Sequence, residues 1–354
     1  MPLRFFRIPF LAIKIILNQM ESCEIFMLSQ TSSKARRITK FYEMGVALIV
    51  KGDSDHFMFL KTSKKLSLVN SIHLSDRPRQ YSKSVVFDQN KKIPCDIEFE
   101  NSPDWMRGDF VHIYVNCLDR MDIRKSVIKY FVDSFTVTIK SMLLTSNNIG
   151  DRYQILEYTK RPGLNFQKIN WCGTCADDPS FADVFDGLTA DFFAFRLTRK
   201  TDMFCHTRFQ NARINKLFLK GGQLNPTLNL TDFLNCGSVH ISYHRESDGK
   251  VSDEKLNAFI KAWLNSNSPL TLLQIEMRAP NWKQVIKQVE GVQKDGRVYK
   301  LFKDGVEAAH ILFRNKCFFF VEKKLRDSSD ESDLFLGSVQ AKCSIADRIA
   351  DRSR

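Results

Sequence analysis

The residues best suited to chemistry are two cysteines three positions apart, Cys172 and Cys175, in the segment Cys-Gly-Thr-Cys. Thiolates at this spacing can bind zinc, and Cys205 with His206 would complete a tetrahedral set if the fold brought the two segments together. Zinc modules usually carry two such pairs at set spacing, and a RING-type ligase needs still more ligands. We therefore expect no metal and no cofactor, with a site at Cys172 and Cys175 as the open alternative.

Signature motifs of the common enzyme classes are missing from this sequence. It contains no nucleophile elbow, no Walker loop, no dinucleotide fingerprint and no paired zinc-binding histidines on a helix. The histidines lie mostly in strand-like segments, where a surface or hydrogen-bonded core histidine is the usual case: His56, His73, His112, His206, His240, His244 and His310. We predict a protein that is not an enzyme, and a hydrolase with a site assembled from distant residues is the alternative.

The charge of the chain is strongly basic, at +13. Such a charge favours nucleic acid or an anionic membrane as partner when it is concentrated on one face. Here the basic residues come as scattered pairs, and only residues 34–40 approach a cluster. A solvated surface is therefore the preferred interpretation, and a basic nucleic-acid-binding scaffold is the alternative function.

Nine cysteines indicate the compartment, because their number is odd and they are spread through apolar segments. This usage is typical of reduced thiols in the cytoplasm or nucleus. A secretory signal or membrane anchor at the N-terminus is disfavoured, since Lys14 interrupts the apolar run that follows Ile8.

Three short helices are predicted before Gly45, and they must position the most apolar part of the chain. Pro9 suits a first helical position, and Leu11, Ile15, Ile16 and Met20 follow at helical spacing. Ser22 is the expected cap of a second helix, and a third begins near Ser32 or Ser33 with Ala35, Ile38 and Phe41 on one face. About 40 residues cannot bury this much apolar surface alone, so we expect docking onto a partner protein.

This segment resembles an F-box. The resemblance rests on Ile8-Pro9-Phe10-Leu11, on a first helix ending at Met20, on Glu24-Ile25-X-X-Leu28-Ser29, and on Ser32 before a basic helix. It implies binding to a Skp-type adaptor, and through the adaptor to a cullin. The residues implied in adaptor binding are Ile8, Pro9, Phe10, Leu11, Ile15, Ile16 and Leu28.

Short strands and then a repeating strand–helix rhythm are predicted after this module. Residues 46–100 show period-two alternation broken by turn residues, which indicates a connecting region of short strands at Val46–Val50, Phe57–Phe59, Leu66–Leu68 and Val85–Phe87. Further strands are predicted at Val111–Val115, Val137–Ile139, Phe166–Ile169, Phe193–Phe195, Ile214–Leu219, Val239–Ile241 and Leu270–Ile275. Helices are predicted at Ile123–Phe135, Phe181–Leu188, Ser252–Leu264 and Trp282–Val289, at a spacing that favours an irregular leucine-rich-repeat-like body.

The best-formed unit, Val239–Met277, resembles the type 2 F-box-associated domain of nematode F-box proteins. The matched pattern runs through Phe259, Trp263, Pro269, Leu270, Leu273 and Ile275. The fold class is then α+β: an F-box of three helices (3–45), a connecting region (46–100), and an α/β repeat-like domain (101–324, best matched over 228–280). C-terminal β-hairpins are predicted around Asp304-Gly305, and an acidic, serine-rich tail (326–354) is predicted to be disordered.

The function that the resemblance implies is that of a substrate-recognition subunit of a Skp-cullin-F-box ubiquitin ligase. Such a subunit acts by proximity, without chemistry of its own. In stacked strand–helix units alternate strand residues face away from the helices and are available to a client. We predict a client-binding face that consists of Lys216, Lys220, His240, Ser242, His244, Gln274 and Glu276.

Overall fold

The computed structural model describes residues 9–50, 55–61, 70–75, 83–88, 91–100, 110–116, 120–145, 149–160, 166–173, 185–197, 203–204, 211–221, 223–224, 229–242 and 251–324. In these residues the chain is a mixed α/β protein with two compact units, and their boundary falls between Ile169 and Asn170. The predicted strand at Leu66–Leu68 and the predicted disordered tail lie outside the described residues.

The first unit contains helices α1 (Phe10–Gln19), α2 (Ser22–Thr31), α3 (Ser33–Thr39), α4 (Arg120–Ser134) and α5 (Ile149–Thr159). Its strands are β1 (Glu43–Val50), β2 (Asp55–Lys61), β3 (Asn70–Ser75), β4 (Lys83–Asp88), β5 (Lys91–Glu100), β6 (Phe110–Asn116) and β7 (Thr136–Leu144). Strand β8 (Phe166–Cys172) crosses the boundary between the units.

The helix starts follow from local hydrogen bonding. Ser32 caps α3, since its hydroxyl accepts a hydrogen bond from the N–H of Ala35 at 3.1 Å, and the helix begins at Ser33, within the predicted start. The cap of α2 is Glu21 and not Ser22, because Glu21 and Glu24 form a reciprocal capping box in which the Glu21 N–H donates to Glu24 Oε2 at 2.8 Å. Ser22 is instead the first helical residue and is buried.

The sheet of the first unit is mixed, in the order β7-β1-β2-β3-β6-β5-β4. Strand β1 runs parallel to β7 and antiparallel to β2, and β3 runs parallel to β6. Every residue of β1 from Met44 to Val50 is buried, as is usual for a strand covered on both faces. Consecutive strands β6 and β7 pair with β3 and β1 respectively, which differs from the side-by-side stacking of a regular repeat.

Aromatic side chains fill the core of the first unit. Phe26 of α2 lies 5.3 Å from Phe59 of β2 and 5.9 Å from both Tyr130 and Phe131 of α4, measured between ring centroids. Contacts of this kind add to the stability that burial alone supplies. The first helices are thus joined to the sheet by shared aromatic packing.

The second unit contains β9 (Thr189–Arg196), β10 (Met203–Phe204), β11 (Arg213–Lys220), β12 (Gln223–Leu224), β13 (Ser238–Ser242), β14 (Leu272–Glu276), β15 (Val292–Asp295), β16 (Val298–Lys303), β17 (Val306–Arg314) and β18 (Cys317–Glu322). Its helices are α6 (Asp253–Leu264), α7 (Trp282–Val285) and a 3₁₀ helix at Leu230–Phe233. Residues 185–188 form a short turn before β9, so the described part of the predicted helix Phe181–Leu188 is not α-helical. Gly187, with φ of 71°, ends this turn.

Four strands of the second unit are parallel and adjacent, in the order β9-β11-β13-β14. They begin at Thr189, Arg213, Ser238 and Leu272. An antiparallel meander, β18-β17-β16-β15, continues the sheet from β14. The predicted C-terminal hairpins are therefore present, with Asp304 and Gly305 in the turn between β16 and β17.

Helix α6 packs against β18 through Phe259 and Trp263, which both contact the ring of Phe320. Ser252 is its N-cap, and its hydroxyl accepts a hydrogen bond from the N–H of Lys255. Trp263 is 6% exposed, donates its indole N–H to the carbonyl of Leu270 at 3.1 Å, and packs edge-on against Phe320 at 4.7 Å. Trp263 is therefore a packing residue.

Candidate functional site

Helix α1 carries an exposed aliphatic face in the first unit. Leu11 is 72% exposed and Ile15 is 64% exposed, whereas Ile13 and Leu17 on the opposite side of the helix are 5% and 2% exposed. The i, i+4 spacing places each pair on one side of the helix. The buried pair holds α1 against its unit, and the exposed pair is available to a partner.

The other predicted adaptor-binding residues occupy different environments. Pro9 is exposed and is the N-cap of α1, Ile16 is at the edge of the exposed class at 36%, and Leu28 is half-buried in α2. Phe10 begins α1, but its side chain lies outside the described part, and so does Ile8.

Two further large apolar side chains are exposed in the same unit, Met27 at 40% and Phe41 at 55%. The sequence pattern assigned Phe41 to the same face as Ala35 and Ile38. That assignment is wrong, because α3 ends at Thr39 and Phe41 lies beyond the helix. Exposure of Met27 could have been predicted, since Ile25 and Phe26 already supply the buried face of the short α2.

The predicted client-binding residues that the structure describes share one face of the parallel strands in the second unit. The strand register pairs His240 with Gln274 and, on the other side, with Phe218. It also pairs Lys220 with Ser242. Buried Val239, Ile241, Leu273 and Ile275 alternate with these positions. The predicted alternation is therefore present in β13 and β14, while His244 lies outside the described residues.

We call this surface the β11–β14 face; its described residues are Lys216, Phe218, Lys220, His240, Ser242, Gln274 and Glu276. Hydrogen bonds and ring stacking hold some of these side chains in place. Ser242 donates a hydrogen bond to Glu276 Oε2 at 2.7 Å, and Gln274 Nε2 lies 3.7 Å from Cys317 Sγ. The imidazole of His240 stacks on Phe218 at 4.7 Å with an interplanar angle of 19°.

The electrostatics of the β11–β14 face set the charge of its histidine. Burial lowers the pKa of His240, and a hydrogen bond with Gln274 and the charge of Glu276 oppose this only in part. His240 is thus neutral at pH 7. The exposed charges of this face come from Lys216 and Lys220.

A histidine cluster, which the sequence did not predict, lies in the first unit. Ser71 Oγ is 2.6 Å from His73 Nε2 and 2.7 Å from His112 Nδ1, and the two ring nitrogens are 3.0 Å apart. His56 packs edge-on against His73 at 4.5 Å. Within the described ranges, no three His, Cys, Asp or Glu side chains are placed to hold one metal ion. Only the pairing of β2, β3 and β6 brings these histidines together.

The cysteines suited to chemistry are only partly described. Cys172 is half-buried at the end of β8, and Cys175, Cys205 and His206 lie outside the described residues. Burial raises the pKa of Cys236 to about 12. A thiol with so high a pKa is protonated at neutral pH and unreactive.

None of the helices in the described residues is long and apolar enough to cross a membrane.

Comparisons of the chain with protein-family models, with curated proteins and with solved structures gave no significant match.

Proposed function

We propose that this protein is the substrate-recognition subunit of a Skp-cullin-F-box ubiquitin ligase. The observation that carries the proposal is the aliphatic face of α1, on which Leu11 and Ile15 are exposed while Ile13 and Leu17 anchor the helix. Aliphatic side chains at this level of exposure on a short helix are typical of a helix that docks onto a partner. The F-box resemblance assigns that partner as a Skp-type adaptor.

The mechanism that follows is one of proximity. The first unit binds the adaptor, and through it the cullin, while the β11–β14 face of the second unit binds a client. A client that is tethered beside the ubiquitin-conjugating enzyme meets it at a high effective concentration, so the subunit itself needs no catalytic residue. The protein is accordingly not an enzyme in this proposal.

The client surface is the β11–β14 face. Its exposed lysines, Lys216 and Lys220, flank an ordered centre in which His240 stacks on Phe218. A surface with cationic edges and an aromatic centre suits an acidic client segment, because the lysines attract the carboxylates while the rings supply apolar contact. Gln274 and Glu276 lie on the next strand and add hydrogen-bonding groups.

Adaptor binding tests the proposal through the exposed face of α1. Replacing both Leu11 and Ile15 with alanine removes two anchors that typically contribute about 2 kcal/mol each, so the adaptor affinity should fall about a thousandfold if the effects add. Val306→Ala is the matched control, because Val306 is a 67% exposed aliphatic residue of the second unit. Isothermal titration calorimetry with a purified Skp adaptor measures the adaptor affinity of the double variant and of the control. Equal adaptor affinity of the Leu11/Ile15 double variant and the wild type would refute the proposal that this face of α1 docks onto the adaptor.

Client capture tests the second unit separately. Charge reversal of Lys216 and Lys220 to glutamate should abolish capture of clients that accumulate when the proteasome is blocked, while adaptor binding is unchanged. Lys283 and Lys287, also exposed, provide a control pair with the same change in charge. Normal client recovery with the Lys216/Lys220 variant would place the client site elsewhere.

A further inference from the structure

A groove in the first unit is lined by Arg36, Arg37 and Lys40, which belong to the basic cluster at residues 34–40. Helices α2 and α3, strand β4 and helix α4 surround a volume of about 670 Å³. Small-molecule sites in proteins usually enclose roughly 300 to 1,000 Å³. This groove is therefore of a size to hold a small molecule.

Cations dominate the lining of the groove. Arg36, Arg37, Lys40 and Lys129 lie on it, opposed by the single carboxylate of Asp133. In the described residues no carboxylate forms an ion pair with any of these four cations. The local excess of three positive charges is larger than one carboxylate or one phosphate group of a ligand neutralises.

Two hydrogen-bond donors at the groove have no acceptor in the part of the chain that the structure describes. Gln30 Oε1 accepts a hydrogen bond from the N–H of Val86 at 2.8 Å, and this bond fixes the orientation of the amide. Its Nε2 and the Nε of Arg36 are buried, and no atom of the described residues accepts from them. A buried donor without a partner costs about 1 to 3 kcal/mol, and an anion that reached both donors would recover that cost.

The position of Arg36 is fixed by Tyr130. The guanidinium carbon of Arg36 lies 4.7 Å from the centre of the Tyr130 ring. Tyr130 is itself held by Ser29, whose hydroxyl is 2.5 Å from the phenol oxygen. A guanidinium that is held over a ring keeps its planar fork in one orientation, which favours two-point binding of a phosphate.

From these features we infer that the groove binds a small molecule bearing two or more phosphate groups. Arg36 and Gln30 hold one phosphate at the inner wall, and Arg37, Lys40 and Lys129 neutralise the remaining charge at the rim. The inference is independent of adaptor docking, because the groove shares no residue with the exposed face of α1. It also gives a function to the basic third helix, which the proposed ligase role leaves unused.

Binding of inorganic phosphate, pyrophosphate and tripolyphosphate to the full chain tests the inference by isothermal titration calorimetry. Affinity should rise with the number of phosphate groups. The triple variant Arg37→Gln, Lys40→Gln, Lys129→Gln should lose about tenfold or more of its tripolyphosphate affinity. The matched control is Arg278→Gln, Lys283→Gln, Lys287→Gln, which removes the same charges from exposed positions of the second unit and should keep the affinity of the wild type.

Three results would overturn the inference. The first is no heat of binding for tripolyphosphate with the wild type at low salt. The second is an equal loss of affinity in the control triple variant, which would show diffuse attraction by net charge. The third is a groove-dependent affinity for a single-stranded RNA oligonucleotide above that for tripolyphosphate, which would make the surface a nucleic-acid site. Circular dichroism confirms that each variant is folded, and adaptor binding by the groove variant keeps this test separate from that of the proposed function.

Discussion

Replacing Arg124 with methionine should strongly destabilise the first unit. Arg124 of α4 and Asp55 of β2 form an ion pair with both side chains fully buried, and Arg124 also lies 3.2 Å from Asp151 in the first turn of α5. Burial alone would lower the pKa of Arg124, but the hydrogen bonds and charges of Asp55 and Asp151 together outweigh burial and leave the pKa raised, so the guanidinium is charged. Replacing Arg124 removes this cation from the fully buried carboxylate of Asp55.

The expected cost is about 3 to 5 kcal/mol, the usual range when one partner of a buried pair is removed. Most of it comes from Asp55, because Asp151 keeps contact with water at 27% exposure. Adding Asp55→Asn to Arg124→Met should recover part of the loss, since the double variant no longer buries the negative charge of Asp55 without that of Arg124. The control is Lys160→Met, which breaks the exposed pair with Glu157 and should cost less than about 1 kcal/mol.

Hydrogen exchange of the amides in β2 and α4 measures these changes within the first unit. Exchange in Arg124→Met should be about a hundredfold to a few thousandfold faster than in the wild type if exchange follows the opening equilibrium. The Asp55→Asn/Arg124→Met double variant should lie between them. An exchange rate in Arg124→Met no faster than in Lys160→Met would refute the reasoning that the pair ties β2 to α4.

Three further changes test the second unit. Trp263→Ala should cost about 3 to 5 kcal/mol in denaturant unfolding, because it opens a large cavity under α6, while adaptor affinity should not change; a loss below 1 kcal/mol would contradict the packing role. His240→Phe should flatten the pH dependence of stability: the half-buried imidazole has a lowered pKa, so the unfolded chain binds the proton more readily and the wild type loses stability as pH falls below the unfolded pKa, and an unchanged slope in thermal melts would count against this. Gly221→Ala should destabilise far more than Gly305→Ala in the same melts, because both glycines have positive φ but only at Gly221 would a Cβ meet a backbone oxygen, at 2.3 Å; equal losses would contradict the steric reason.

The sequence was informative where the signal is local. Helix α6 was predicted within one residue, because Ser252 is a good cap and Leu256, Phe259, Ile260 and Trp263 recur at helical spacing. The positions of the parallel strands in the second unit were also predicted from a local signal, since each is a short apolar run between turn residues. The exposed face of α1 was predicted from an excess of apolar residues in a small module.

What the sequence did not predict depends on contacts between distant segments. Helix α5 was missed because it buries Arg152 together with apolar residues, which weakens the amphipathic signal. The pairing of β1 with β7 joins segments about 90 residues apart, and no local pattern encodes it. The basic groove was missed for the same reason, because Lys129 comes from α4 and only the fold sets it beside α3.

The most direct test of the proposed function is hydrogen-exchange footprinting of the full chain with and without a purified Skp-type adaptor. We predict formation of a complex and slower exchange in α1, with no change in β11, β13 and β14, because the client face remains open. Val306, exposed in the second unit, lies in β17, where exchange should also be unchanged. No complex at micromolar concentrations, or protection confined to the second unit with α1 unprotected, would contradict the assignment of α1 as the adaptor-docking helix.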